Sequence, residues 1–202
     1  MFDIVIPENN ETSFISIADK LGYKSLLFLY SFEDYFNKRD FESKIKLSYG
    51  ILADPKNISK INNKFNEKRP FTVIKSSSNN REIIEKSRSD LVFSLEEYSK
   101  KDFMHQRGSG LNHIMAKLAH VNNIMIGFSL NSILNSDKKH MILGRIMQNI
   151  KLCRKYKVKM MIASFAFDPM EMRSPHDLMS LFLKLGMHQK EAKDSLNNVF
   201  YK

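Results

Sequence analysis

Seven short apolar runs, most of them followed by a stretch of helical periodicity, limit what this chain can fold into more than any other feature. They are FDIVI from Phe2, SLLFLY from Ser25, IKLSYGIL from Ile45, FTVIK from Phe71, DLVFSL from Asp90, IMIGFSL from Ile124 and KMMIASF from Lys159. A strand with one wet face alternates polar and apolar residues. These runs are near-continuous, the pattern of strands buried on both faces. The helical segments ETSFISIADKLG, NISKINNKF, NREIIEKS, SGLNHIMAKLA and KKHMILGRIMQNIKLCRKYK follow the first, third, fourth, fifth and sixth runs. Strand then helix, repeated, predicts right-handed crossovers and an all-parallel sheet. With about seven units and no polar run to serve as an edge, closure into a parallel βα barrel is favoured over an open doubly wound sheet. The turn after the first run reads Pro7, Glu8, Asn9, Asn10, so the glycine-rich phosphate turn of a dinucleotide or P-loop fold is missing.

A chain of 202 residues is long enough for one sizeable core and short for two, so a single βα-barrel domain over 1–202 is expected. The formal net charge of +10 points to a polyanionic partner, because phosphate backbones reward surplus cations through counterion release. The same surplus also fits a composition rich in Lys, Asn and Ile that merely keeps the surface solvated. No run of about 18 apolar residues occurs, and MFDIVIPENN lacks the regions of a signal peptide. A cytoplasmic protein without a membrane partner is therefore expected. The lone Cys153 excludes an internal disulfide and a multi-cysteine zinc site, and reads as a small packing residue.

A metal-dependent phosphoesterase on such a barrel would carry His-x-His at the end of its first strand. Here that position holds Pro7 and Glu8, and the six histidines are scattered. Gly-x-Ser-x-Gly is absent as well; Gly108-Ser109-Gly110 reads as a turn with Ser109 as a helix N-cap. In the following helix Leu111, Ile114, Met115 and Leu118 form an apolar stripe, with His113, Lys117 and His120 on another face. The segment EEYSKKDFMHQRGSG lies just after the fifth strand, at the rim where function collects in βα barrels. Ser174 as N-cap, Pro175 at the first helical position, Asp177 at the third and Gly186 as the stop define a helix after the seventh strand. Arg107 and Arg173 precede the two helix starts and should stand on one rim, suited to bidentate phosphate contact. Lys155 and Lys193 lie on helices, where a solvated face explains a lysine as readily as a ligand does.

RGSGLNHIMAKLA followed by IMIGFSL, KYKVKMMIAS, RSPHDLMSLFLKLGM and EAKDSL resembles archaeal ribonuclease P protein component 3, the family of the eukaryotic thirty-kilodalton subunit of RNase P and RNase MRP. The resemblance covers most of the second half, and the first half more faintly through strand spacing and NNREIIE. It implies a TIM-like barrel related to the polymerase and histidinol phosphatase superfamily. It also implies a subunit of the endoribonuclease that removes the 5′ leader of precursor tRNA, with the chemistry left to the RNA subunit and its metal ions and no cofactor bound by this chain. The implied partners are the RNase P RNA, precursor tRNA, a small RRM-like protein and the other RNase P proteins. The family's functional basic and histidine positions map onto Arg107, His113, Lys155, Arg173 and Lys193, and more loosely onto Arg81. The sequence departs from the family at Asn122, where relatives can carry a lysine, and at Ser164-Phe165-Ala166, where two serines and an alanine are usual. The second departure implies a more apolar barrel mouth. A metal-dependent phosphoesterase of the same superfamily is the competing reading, and its clustered ligands are lacking.

Overall fold

The apolar runs become seven strands: β1 Phe2–Val5, β2 Ser25–Tyr30, β3 Lys46–Ala53, β4 Phe71–Lys75, β5 Leu91–Phe93, β6 Met125–Ser129 and β7 Met160–Ala163. They come from a computed structural model that describes residues 1–65, 69–99, 101–102 and 104–197. All six neighbouring pairs are parallel, in chain order. The ring closes where the chain beyond β7 reaches β1. Phe165 N–H donates to the Ile4 carbonyl and Ile6 N–H to the Ala166 carbonyl, each at 2.9 Å, around a single parallel bridge between Val5 and Ala166. Phe165 holds φ at 49° there, a costly conformation for a bulky side chain.

Double burial explains the continuous runs. Alternate residues of each strand point into the barrel, where Ile4, Leu27, Leu29, Val73, Leu91, Phe93, Met161 and Phe165 pack together. The intervening residues, such as Ile51, Ile74, Val92, Ile126, Phe128 and Ile162, face the helices. Inside, Phe93 and Phe165 stack at 4.1 Å between centroids and 7° between planes. Gly127 makes room for that pair, since a Cβ there would stand 2.9 Å from Phe93 Cβ.

The outer layer comprises α1 Glu11–Lys20, α2 Ile58–Lys64, α3 Asn80–Lys86, α4 His113–Val121, α5 Leu130–Leu134, α6 Lys139–Lys155, α7 Pro175–Lys184 and α8 Gln189–Ser195. The helix after β7 is specified as its sequence predicts. Ser174 Oγ accepts from Asp177 N–H at 3.2 Å, Pro175 opens the helix, and Gly186 ends it at φ 102°. Two expectations need correction. The fifth run stops as a strand at Phe93, because Ser94 turns to φ 58°, and the sixth stops at Ser129, which caps the unforeseen α5 by accepting from Ser132 N–H.

Candidate nucleic-acid interface

In a parallel barrel the strands' C-terminal ends and the helix N-termini share one rim, and the loops there are free to vary. The longest such loop runs from Ser94 to Asn112, between β5 and α4, and polar residues from α6 hold several of its described residues. Arg145, 2% exposed, donates through Nε to Asp102 Oδ1 at 2.8 Å and through Nη1 to the carbonyls of Glu96 at 2.8 Å and Ser99 at 2.7 Å. One turn further along α6, Asn149 Nδ2 donates to Glu96 Oε1 and to the Ser109 carbonyl, both at 2.9 Å. Asp102 in turn accepts from Gly108 N–H at 2.8 Å. Desolvation pulls the Asp102 carboxyl upward, yet the hydrogen bonds from Gly108 and Arg145 and the charges of Arg145 and Arg107 outweigh it and leave the group below the usual carboxylate range.

Glu96 is the opposite case. Burial pushes its carboxyl up to about 7, against the pull of Asn149, and Oε2 has no hydrogen-bond partner. Asn149 Oδ1 is also unpaired. The same cluster also holds a buried donor without a partner, Arg145 Nη2.

The RGSG turn is therefore a piece of loop architecture. A Cβ on Gly108 would press on Ser99, and one on Gly110, at φ 71°, would run into the Leu95 carbonyl. Ser109 is not the helix cap expected of it: it is buried, donates to the Leu111 carbonyl at 3.2 Å and accepts from Gln148 Nε2 at 3.2 Å. The cap is Asn112, whose Oδ1 accepts from Met115 N–H at 2.9 Å, so α4 starts at His113. Of the stripe expected through Leu111, Ile114, Met115 and Leu118, Leu111 and Met115 are buried and Leu118 packs against the core, while Ile114 is exposed and Ala116 and Ala119 are buried in its stead.

Four of the six sequence-expected binding residues stand on this rim. Arg107 is exposed, with its guanidinium lying over Gly144 of α6 in the space a Cβ there would occupy. Arg81, second in α3, is exposed and loosely paired with Glu85 at 3.9 Å, and it borders the same pocket of about 290 Å³ as Arg107. His113 is exposed at the first position of α4. Arg173 follows β7. Its carbonyl accepts from Tyr23 Oη at 2.7 Å, and its Nη1 donates to the carbonyls of Met170 at 2.9 Å and Met172 at 2.7 Å. Glu171 pins the same loop by accepting from Asn131 and Asn135 of the α5 region at 2.7 and 2.9 Å.

Lys155 and Lys193 lie elsewhere. Lys155 is the last residue of α6, where the helix hands the chain down to the start of β7. Lys193 is on α8, which the ion pair of Arg154 with Glu191 at 2.6 Å ties to the same end. Both are exposed. The expected cations thus occupy two opposite ends of the barrel. Asn122 turns out to be a strut: its amide donates to the carbonyls of Ile84 at 2.8 Å and Glu85 at 3.3 Å, tying α4 to the end of α3. His120, on the helix's polar face, meets the Lys157 carbonyl at 3.0 Å.

The clamp residues Glu96, Asp102, Arg145 and Asn149 escaped the sequence reading, although a signal existed. Arg145 and Asn149 interrupt the apolar face of α6 at core positions between Ile142, Ile146, Ile150 and Cys153. Among the described residues no three His, Cys, Asp or Glu side chains come together as a metal site. The residues at the mouth do not fit the ions of a metallophosphatase.

These features define a class: a seven-stranded parallel βα barrel of the histidinol-phosphatase type, with basic residues on its rim and without a metal-ligand cluster among its described residues. The solved histidinol phosphate phosphatase of Lactococcus lactis, complexed with zinc, L-histidinol and phosphate, superposes with a TM-score of 0.66 at 11% identity over 93% of this chain and 94% of that one. The chain belongs to the RNase P subunit p30 family, whose profile matches residues 1–202. Ribonuclease P protein component 3 of Methanothermobacter thermautotrophicus is 26% identical over 197 residues, 90% of this chain and 78% of the relative. The same component of Thermococcus kodakarensis is 38% identical over 94 residues, a stretch that spans 46% of this chain and 43% of the relative. A chain of the cryo-EM structure of archaeal ribonuclease P with mature tRNA has the same fold, with a TM-score of 0.73 and 20% identity over 97% of this chain and 87% of that one.

Proposed function

We propose that this chain is an RNA-binding protein subunit of ribonuclease P that leaves the hydrolysis of precursor tRNA to the catalytic RNA. On this reading it stabilises the RNA's active fold, binds no cofactor of its own and works in the cytoplasm. Its partners are the RNase P RNA, precursor tRNA, an RRM-like partner protein and the other protein subunits. The observation that carries the reading is the placement of Arg81, Arg107, His113 and Arg173 on one rim, where the α6 clamp orders the loop that carries Arg107. Exposed guanidinium groups suit phosphate oxygens in a bidentate manner. Lys155 and Lys193 give the opposite end its own phosphate contacts.

Replacing Arg107 and Arg173 together by alanine should weaken cleavage by the reconstituted enzyme at limiting protein. It should also flatten the salt dependence of RNA binding, lowering the slope by about one for each phosphate no longer engaged. Unchanged cleavage and an unchanged slope at moderate salt would sink the assignment. The purified chain with manganese or zinc and a generic phosphoester is expected to give no turnover; turnover would favour the phosphoesterase reading instead.

A further inference from the structure

The pocket bordered by Arg81 and Arg107 has two features that phosphate neutralisation leaves unexplained. Tyr98, in the clamped loop, is 52% exposed and forms part of its lining. Its ring engages no other aromatic or cationic group among the described residues, so a flat face is left open next to two arginines. Asn80, in the pocket wall, is 5% exposed. Its Oδ1 accepts from Ser77 N–H at 2.8 Å and Ser76 Oγ at 3.1 Å, which fixes the amide's orientation and leaves Nδ2 as a buried donor with no partner. Buried amide donors are almost always paired. One left over in the wall of a basic pocket calls for an acceptor from a ligand.

We infer that this pocket receives one unpaired nucleotide of RNA, its base stacked on Tyr98, its flanking phosphates held by Arg81 and Arg107, and an acceptor of the nucleotide taking the Asn80 Nδ2 proton. The inference rests on the proposed RNA-binding role and narrows it: this part of the rim reads a single-stranded nucleotide, whereas a duplex offers no free base face to an aromatic ring. A volume of about 290 Å³ suits one base and excludes a helix. The preformed loop favours such a site, because the Arg145 and Asn149 clamp has ordered the backbone that carries Tyr98 and Arg107 before binding.

The test uses the full chain with two probes, a fluorescein-labelled short oligouridylate and an RNA duplex of matched charge, followed by anisotropy. Tyr98→Ala should weaken single-strand binding about ten-fold while leaving duplex affinity and the salt slope unchanged. Tyr98→Phe, which keeps the ring, should bind as the parent does. Asn80→Asp keeps the acceptor and its hydrogen bonds but replaces the free donor with negative charge, and should weaken the oligouridylate; its thermal unfolding reports whether the fold is retained. A Tyr98→Ala protein that binds the single strand normally, or loses both probes equally, overturns the nucleotide pocket. If Arg107→Ala still loses affinity in that case, the RNA-binding rim stands without it. If neither variant alters binding of either probe, the rim assignment fails as well.

Discussion

Replacing Glu96 by glutamine should remove a pH-dependent weakness built into the rim clamp. In the folded protein burial raises the Glu96 carboxyl from its ordinary value of 4.5 to about 7. Below pH 4.5 the folded and unfolded chains both carry the proton, and the group costs nothing. Between 4.5 and about 7 the unfolded chain ionises while the folded one keeps its proton, so stability falls by about 1.4 kcal/mol for each pH unit. Above about 7 both are ionised and the loss levels off near ~3 kcal/mol. The carboxamide keeps Oε1 as the acceptor for Asn149 Nδ2 and has no charge to desolvate. Urea unfolding at pH 5, 6, 7 and 8 should therefore give midpoints that drop with pH in the parent and drop less in Glu96→Gln, with the curves separated by ~3 kcal/mol at the alkaline end. Asp3, buried at the seam and raised to about 6 by burial, tilts both curves in the same direction and cancels in the comparison. Parallel curves for the two proteins would refute the placement of a protonated Glu96 in the clamp.

Arg145→Met should cost about 3–5 kcal/mol in urea unfolding, since it strips two buried carbonyls and Asp102 of their donor. Limited proteolysis should then cut within 99–108 first, and a loss below about 1 kcal/mol would mean that the loop is held by other contacts. Gly110→Ala should be more damaging than Gly186→Ala: both glycines have positive φ, but only the first faces a backbone carbonyl in the space a Cβ would take. About 1 kcal/mol for Gly186→Ala and a clearly larger loss for Gly110→Ala are expected in thermal unfolding, and equal losses would contradict the close approach to Leu95. In RNA binding, Arg81→Ala and Arg107→Ala should be non-additive because they share a pocket, while Arg107→Ala and Lys155→Ala should add to within about 0.5 kcal/mol. Coupling between the last pair as large as that within the pocket would overturn the two-ended arrangement.

The barrel was legible because its physics is repetitive. Seven runs buried on both faces, each feeding a helix or a turn, leave few alternatives to a closed parallel sheet, and the register follows from the inward and outward alternation. The helix from Pro175 was legible because cap, proline and stop glycine are local signals. The loop after β5 was not. Ser109 has the composition of a cap, yet tertiary contacts with Gln148 and Asn149 claim it, and Asn112 caps the helix three residues later. Local propensity ranks Ser and Asn alike at a cap, so only the packing of α6 decides between them. For the same reason Arg107 reads as a helix-start residue, while its actual support is the bare backbone at Gly144.

That support bears on how one barrel can carry metal chemistry in one protein and cations in another. A metallophosphatase mouth needs carboxylates and histidines left free to bind ions. Here four carboxylates near the strand ends are engaged internally: Asp3 on the closing seam, Asp102 and Glu96 on the α6 clamp, Glu171 on α5. Asp102 and Glu96 fix the loop that exposes Arg107, and Glu171 the loop that exposes Arg173. The distance between the two basic ends follows from the same helix. Arg107 rests on α6 at Gly144, and from there to Lys155 the helix rises about 16 Å, beyond a Debye length of about 8 Å at physiological salt. Charges so separated do not share one phosphate, so on the proposed RNA-binding role the two ends would engage different segments of a folded RNA. A rigid barrel is then suited to keep those segments at a fixed spacing.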